Sequence, residues 1–413
     1  MTDTLSKATA PEGDLAAYPM PRAQGCPFDP PTELGRRRAE EPISRVRIWD
    51  GSTPWLVTGY EHQRAVLADP RFSANPDHPG YPYTTASVKA RRQGNPTFIT
   101  MDNPEHDRYR RMFTRDFMIK RVEALRPHIQ SIVDGLIDDM VAQGPTADLV
   151  QALALPVPSL VICELLGVPY ADHEFFQQRT RLMIARDTDP AASVTATREL
   201  AEYLTELIRR KEADPTDDLL GRLVLDQVRP GNISLEQAAN AALLLLVAGH
   251  ETTANMIALG TLALLRNPDQ LALVRDTEDS KVIANAVEEM LRYLTIVHNG
   301  RRRVALEDAE IGGQLIRAGE GVILTNDSGN RDPGAFPGDP DQLDVLREAR
   351  HHVAFGYGIH QCLGQPLARV ELQVVYGTLY RRLPKLALAV PFDDVRFKDD
   401  MLVYGVHALP VTW

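Results

Sequence analysis

The chain has 413 residues, with 56 Asp plus Glu against 45 Lys plus Arg, for a formal net charge of −11. That balance argues against a nucleic-acid binder, which needs a basic face for phosphates. Its three cysteines, Cys26, Cys163 and Cys362, are too few and too scattered for a disulfide framework or a CxxC zinc or redox pair. At about 100–200 residues per domain the length alone suggests two or three domains, yet no linker-like stretch divides the middle of the chain.

In chain order, residues 1–40 read as an extended arm, punctuated by Pro11, Pro19, Pro21, Pro27, Pro30 and Pro31 and without the layout of a signal peptide. Residues 45–49 and 54–58 alternate around Asp50-Gly51, which predicts a β-hairpin. A helix is expected over 59–67, a loop over 73–96, and helical periodicity over 104–141 until Gly144-Pro145 breaks it. Pro156, Pro158 and Pro169 fence a short helix containing Cys163, and helices follow over 172–185 and 191–213. Ser234 with Gln237 makes a capping box for the longest helix, which runs to Leu265 and stops at Asn267-Pro268. Its length is roughly 48 Å. Its apolar run, 238–249, ends at His250 and Glu251 and is short of the about 20 apolar residues that span a bilayer, so a soluble cytoplasmic protein with no membrane segment is expected. A helix over 280–294, short strands at 304–306, 310–311, 314–316 and 322–324, a coil over 330–347 and a last helix over 363–383 complete the chain.

The most specific stretch is Phe355-Gly356-Tyr357-Gly358-Ile359-His360-Gln361-Cys362-Leu363-Gly364. Cys362 stands just before a predicted helix, whose free N–H groups and dipole favour a thiolate. Gly356 and Gly358 permit turns at positive φ, Gly364 lets a flat group approach the helix start, Phe355 can pack beside that group, and His360 can reach a carboxylate at its edge. The set suits an axial thiolate ligand of a haem. A lone Cys before a helix is more often a buried apolar residue, and His351, His352, His360 and Cys362 make a conceivable zinc set with unusual spacing. In the long helix, Ala248-Gly249-His250-Glu251-Thr252-Thr253 places four consecutive polar residues in apolar surroundings, at a cost unless they are satisfied. Ala248 and Gly249 leave room for a flat cofactor or dioxygen. Thr252 can bond the carbonyl one turn back and loosen the ladder, and Glu251 can relay protons. By themselves these residues read equally well as a solvent-exposed turn. Glu289 and Arg292 share a helix face at i, i+3; an isolated pair of this kind contributes under about 1 kcal/mol.

The pattern Phe-Gly-x-Gly-x-His-x-Cys-x-Gly resembles the haem-binding loop of the cytochrome P450 family. Residues 248–253 resemble that family's oxygen-activation motif, with Glu251 where many members carry Asp. The resemblance extends from about residue 40 to Trp413, with the motifs in the family's order, and is nearest to soluble bacterial members that oxidise macrolides, steroids, statin-like polyketides and xenobiotics. It implies a mainly α fold with a small β region, organised as one large domain (41–413) behind the arm (1–40) around one haem b, iron protoporphyrin IX, with Cys362 as the axial ligand of the iron. The implied reaction is a monooxygenation that uses O2 to hydroxylate a medium-to-large apolar substrate. Thr252 would hydrogen-bond dioxygen and Glu251 would feed protons.

The resemblance also implies that Ala248, Gly249, Phe355, Gly356 and Gly364 lie against the cofactor, and that His106, Arg110, Arg303 and His360 hold its propionates. Arg303 is preferred to Arg301 and Arg302 because it directly precedes Val304-Ala305. Glu289 and Arg292 would tie to an arginine of the coil, either Arg331 or Arg347, as structural support. Electrons would come from a ferredoxin and its reductase, docking at a basic patch near Cys362 with Arg111, Arg350, His351 and His352 as candidates, on a monomeric protein. With 6% aromatic residues, a roomy aliphatic and hydroxylic pocket is expected from segments 76–100, 176–192, 294–299 and 402–404 together with Leu244 and Ala248, and within those segments from Val88, Ile296, Val297 and Val403. Two other classes are open. A peroxide-driven or isomerising haem-thiolate enzyme would usually replace Thr252 or the acid. A haem carrier or gas sensor would lack the polar break and carry a signalling domain.

Overall fold

The computed structural model describes residues 15–23, 25–92 and 97–413. Its axis is the helix Leu235–Arg266, which begins where Ser234 and Gln237 cap each other: the Gln237 N–H donates to Ser234 Oγ at 3.2 Å and the Ser234 N–H to Gln237 Oε1 at 2.9 Å. This reciprocal cap satisfies donors that a helix start leaves orphaned. The helix packs against Pro190–Ala213, Pro156–Leu166 and Gln365–Arg382, so its middle is buried on nearly every side. By length and composition it is apolar and long enough to cross a membrane, contrary to the expectation from its apolar run, but 72% of its most apolar stretch is buried inside this domain. The largest apolar cluster extends from Phe28 to Val411.

A five-stranded sheet lies beside the helices in the order Ile43–Arg45, Trp55–Val57, Gly321–Leu324, Arg301–Ala305, Phe72–Ser73. The expected hairpin is its edge, with Ser44 opposite Leu56. Trp55–Val57 then runs parallel to Gly321–Leu324, which joins the two ends of the sequence. Strand alternation puts Arg301 and Arg303 on one face of this sheet and Arg302 on the other.

Four segments differ from the sequence expectation. The described part of the arm is packed onto the domain: the Tyr18 N–H donates to the Arg47 carbonyl at 2.8 Å, and Thr32–Glu40 is a helix that buries Leu34 and Arg37. Residues 1–14 lie outside the described residues. The expected loop at 73–96 contains the helix Ala86–Arg92. The helical stretch 104–141 is two helices, Glu105–Thr114 and Ile119–Gln143; Asp116 at the break accepts from Arg222 Nη2 at 2.7 Å and Arg121 Nη1 at 3.2 Å, fixing a turn there. Finally, Pro410–Thr412 pairs with both Thr146–Asp148 and Ala387–Leu388 in a sheet whose strands are too short to show alternation.

Candidate active site

A cavity of about 490 Å3 lies between the middle of the Leu235–Arg266 helix and the cysteine loop. The loop is a chain of turns: the Gly356 N–H donates to Val353 O at 2.8 Å, Gln361 N–H to Gly358 O at 3.0 Å, and Cys362 N–H to Phe355 O at 2.9 Å. Gly358 has φ +72°, and a Cβ there would lie 2.3 Å from the Leu67 carbonyl oxygen, so only glycine fits. The helix Gln365–Arg382 starts directly after Gly364. Cys362 lies deep in the domain yet is only partly buried, because the surface it shows is the cavity wall. Burial pushes its thiol up, against the opposing pull of Arg301, the Gly364 N–H, Arg110 and Arg369. In the protein alone, burial therefore outweighs the helix-terminus effect expected to favour a thiolate.

On the opposite wall, Ala248, Gly249, Glu251 and Thr252 all face the cavity. Thr252 Oγ1 donates to the Ala248 carbonyl at 2.8 Å, but the helix runs on unbroken, so the expected loosening of the ladder is absent. Gly249 has a second reason to be small: a Cβ there would lie 2.7 Å from Ile162 Cγ1 on the crossing helix. Glu251 is buried and accepts from Asn255 Nδ2 at 3.4 Å, with His250 Nε2 3.8 Å from its Oε1. Glu371, a residue the sequence reading missed, also faces the cavity. Burial pushes its carboxyl up to about 8, with the Thr253 hydroxyl pulling the other way. Its signal was a carboxylate beside Leu367, Val370, Val374 and Val375 on the buried stripe of the last helix.

His106 and His360 meet with ring centroids 4.3 Å apart, and none of their four nitrogens has a hydrogen-bond partner. The Asp107 carboxylate lies 3.4 Å from His106 Nδ1, outside hydrogen-bond alignment. Burial lowers both rings, His106 with help from Arg110, and takes His360 to about 3 with help from Arg303. Arg110 faces the same space. Arg301 gives one bond, Nη2 to the Ala354 carbonyl at 2.9 Å, and leaves Nε without a partner. A Cβ on Gly364 would touch only Phe117, at 3.9 Å, so the protein leaves this glycine open. A soft sulfur facing an open glycine, ringed by buried nitrogen groups that lack an acceptor, fits haem b: thiolate for the iron, imidazole and guanidinium groups for the propionates. The alternative zinc set does not form, since no group of three metal-binding side chains occurs among the described residues.

The cytochrome P450 family model matches residues 29–387. The chain belongs to the cytochrome P450 family. It is 55% identical to cytochrome P450 GfsF of Streptomyces halstedii over the full length of both chains, and the crystal structure of GfsF superposes with a TM-score of 0.90, covering 96% of this chain and 100% of that one. The vitamin D3 dihydroxylase of Streptomyces griseolus is 46% identical over 100% of both. The mycinamicin VIII C21 methyl hydroxylase of Micromonospora griseorubida is 42% identical over 97% of this chain and 100% of its own; its structure bound to mycinamicin VIII gives a TM-score of 0.91 over 97% and 100%. The chain is thus a haem b monooxygenase of the bacterial P450 group.

In this P450, not every residue singled out in the sequence reaches the cavity. Arg303 is buried, but its Nη1 is turned to the Arg302 carbonyl at 2.7 Å, and Arg301, on the same strand face, is the one that lines the wall. Gly356 also lies behind the wall; its φ of +76° and the Arg301 guanidinium carbon 3.1 Å from a Cβ explain it. Leu244, Ile296, Val297 and Val403 line the cavity as expected, and Val88 does not: on the helix Ala86–Arg92 it turns inward, where that helix packs on Pro190–Ala213, while Arg91 and Arg92 face the cavity. Thr295, at φ +35°, is on the wall too, pinned by Oγ1 to the Arg292 carbonyl at 3.0 Å.

The coil arginine that completes the Glu289–Arg292 pair is Arg347. Arg292 Nε and Nη2 meet the Glu289 oxygens at 2.7 and 2.8 Å, and Arg347 Nε reaches Glu289 Oε1 at 3.3 Å. Arg331 pairs instead with Asp341 at 2.9 Å and Asp29 at 3.3 Å. Among the docking candidates, Arg111, Arg350 and His351 are exposed. His352 is buried, its Nε2 3.2 Å from Glu288, and so is removed from that surface.

Proposed function

We propose that this P450 hydroxylates a medium-to-large apolar molecule of the macrolide, polyketide, steroid-like or xenobiotic kind, as a cytoplasmic monomer served by a ferredoxin and its reductase. The observation that carries the reading is the single cavity that joins Cys362 and Thr252 with an aliphatic lining of Leu244, Ile296, Val297 and Val403. Such a lining orients a substrate by shape and apolar burial, at about 25 cal/mol per Å2. The mycinamicin-bound relative supports the size class.

When bound, the haem supplies dioxygen activation and the transfer of one oxygen atom. The Cys362 sulfur would hold the iron, with the Gly364 N–H as a neighbouring donor and Arg301 as a neighbouring positive charge. His106, Arg110, His360 and Arg301 would take the propionates, and Arg303, buried beside His360, would join them on turning its Nη1 away from the Arg302 carbonyl. The Thr252 hydroxyl rests on the Ala248 carbonyl and can swing into the cavity to hold a proton there. Glu251, buried one residue earlier and braced by Asn255, passes protons toward Thr252. For docking, Arg111, Arg115, Lys120, Arg350 and His351 give exposed basic groups on the segments that carry Arg110 and the cysteine loop, suited to an acidic electron donor.

The test is the carbon monoxide complex of the dithionite-reduced protein. A strongly red-shifted Soret band, lost in Cys362→Ser, is expected; a histidine-type band in the unmodified protein would overturn the ligand assignment. A compound library scored by the shift of the ferric haem to high spin then identifies the substrate, and hits confined to small polar compounds would refute the size class.

A further inference from the structure

Arg91, Arg92 and Arg302 line the cavity, and among the described residues none of them forms an ion pair. By contrast Arg292, Arg331 and Arg369 each have a carboxylate partner within the chain, in Glu289, Asp341 and Glu288. Arg91 gives Nη2 to the Met183 carbonyl at 3.3 Å, and its buried Nε has no partner. Arg302 gives Nη1 to the Gly300 carbonyl at 3.0 Å, and its buried Nε has none either. The neighbouring charges make matters worse. Among the described residues the charge acting on Arg91 is Arg92, and Arg302 has the cations Arg92 and Arg186 nearby, with Tyr18 and Tyr81 but no carboxylate beside it. Buried like charges without a counter-ion are costly.

These guanidinium groups are not spare haem clamps. The arginines acting on Cys362 are Arg301, Arg110 and Arg369, and strand alternation turns Arg302 to the opposite face from Arg301 and Arg303. A planar, singly charged carboxylate matches a guanidinium fork by two parallel hydrogen bonds, and the rest of the lining offers the aliphatic contacts for its carbon skeleton.

We propose that the substrate of this P450 is an apolar molecule bearing a carboxylate, which Arg91, assisted by Arg92 and Arg302, holds so that the apolar end is presented to the Cys362 wall. This rests on the reading of the cavity as the substrate chamber. Arg91 and Arg302 are thereby specificity-determining residues.

The experiment uses the haem-loaded protein, whose carbon monoxide band is recorded first, so that a failure of the haem-thiolate reading shows itself separately. Binding of dodecanoic acid and methyl dodecanoate is then measured by calorimetry. The acid should bind about tenfold tighter than the ester, and added salt should weaken the acid alone. Arg91→Gln should bring the ratio to near one and Arg302→Gln should reduce it, while Arg91→Lys keeps part of it. Arg126→Gln, at a surface pair with Glu123, should leave it unchanged. Equal binding of acid and ester, no binding of either, or a preference that survives in both glutamine variants would overturn the proposal.

Discussion

Arg292 finds all its partners within the chain. Besides the two Glu289 oxygens, its Nη1 meets the carbonyls of Asn330 at 2.7 Å and Pro340 at 2.8 Å, and it is fully buried. Arg301, at the start of the next strand, has one carbonyl, and beside it the rings of His106 and His360 have no partner. Both regions bury charge and imidazole or guanidinium groups, but the first is closed and the second is open. A closed network stabilises only the fold it belongs to. An open one leaves donors whose desolvation is recovered when a ligand arrives. Thr295 connects the two, since its hydroxyl is fixed by Arg292 and Asn330 while the residue faces the cavity.

The contrast breaks most visibly at Arg292. Arg292→Ala leaves Glu289 buried, with the Asp344 N–H at 3.0 Å and Arg347 at 3.3 Å on one of its oxygens, and should cost about 3–5 kcal/mol of folding stability. Denaturant unfolding measures this, and stability within about 0.5 kcal/mol of the unmodified chain would show that the network does not support the fold. The open region should respond in the opposite sense. His106→Ala with Arg110→Ala removes groups that lack internal partners, so the stability of the haem-free protein should change by less than about 1 kcal/mol. Haem transfer to apomyoglobin should accelerate by at least about tenfold. Normal haem retention would argue against the propionate role. Thr252→Ala sharpens the contrast further, because its hydroxyl is bound only to a helix carbonyl. The substrate-induced spin shift should persist while most electrons are diverted to hydrogen peroxide; unchanged coupling would remove Thr252 from proton delivery.

The sequence made the closed network and the cysteine loop legible for different reasons. Spacing alone carries Glu289 and Arg292 to one helix face, and the glycines at 356 and 358 are demanded by backbone geometry that nothing else satisfies. The long helix was readable from its cap and its stop signal. What spacing does not carry is which way a residue turns. Alternation sets Arg301 and Arg303 on one strand face, and nothing in three arginines in a row tells that Arg301 lines the wall while Arg303 turns its guanidinium to the Arg302 carbonyl; likewise the helix Ala86–Arg92 in a Pro- and Gly-rich segment turns Val88 inward and Arg91 out. Arg347 lies 58 residues from Glu289, with an irregular coil between them, so no periodicity points to it. His352 looked like surface because it lies in a coil and its partner, Glu288, is on the distant helix Ser280–Leu294.

Glu371 offers the finest distinction, because it is a carboxyl in the cavity wall with neither a closed network nor a cationic ligand partner. Its value rises from 4.5 to about 8 on burial. Between those values the folded chain keeps a proton that the unfolded chain has released, so by linkage stability falls as pH rises through this window and levels off above it. Glu371→Gln keeps the shape and a polar contact for Thr253 but cannot ionise. Its stability relative to the unmodified protein should therefore rise steadily from about pH 4.5 to about pH 8 and then stay constant. Denaturant unfolding of the two proteins across that range measures the difference. A difference that does not vary with pH would mean that the Glu371 carboxyl is ionised in the folded chain, with a counter-charge reaching it from the cavity.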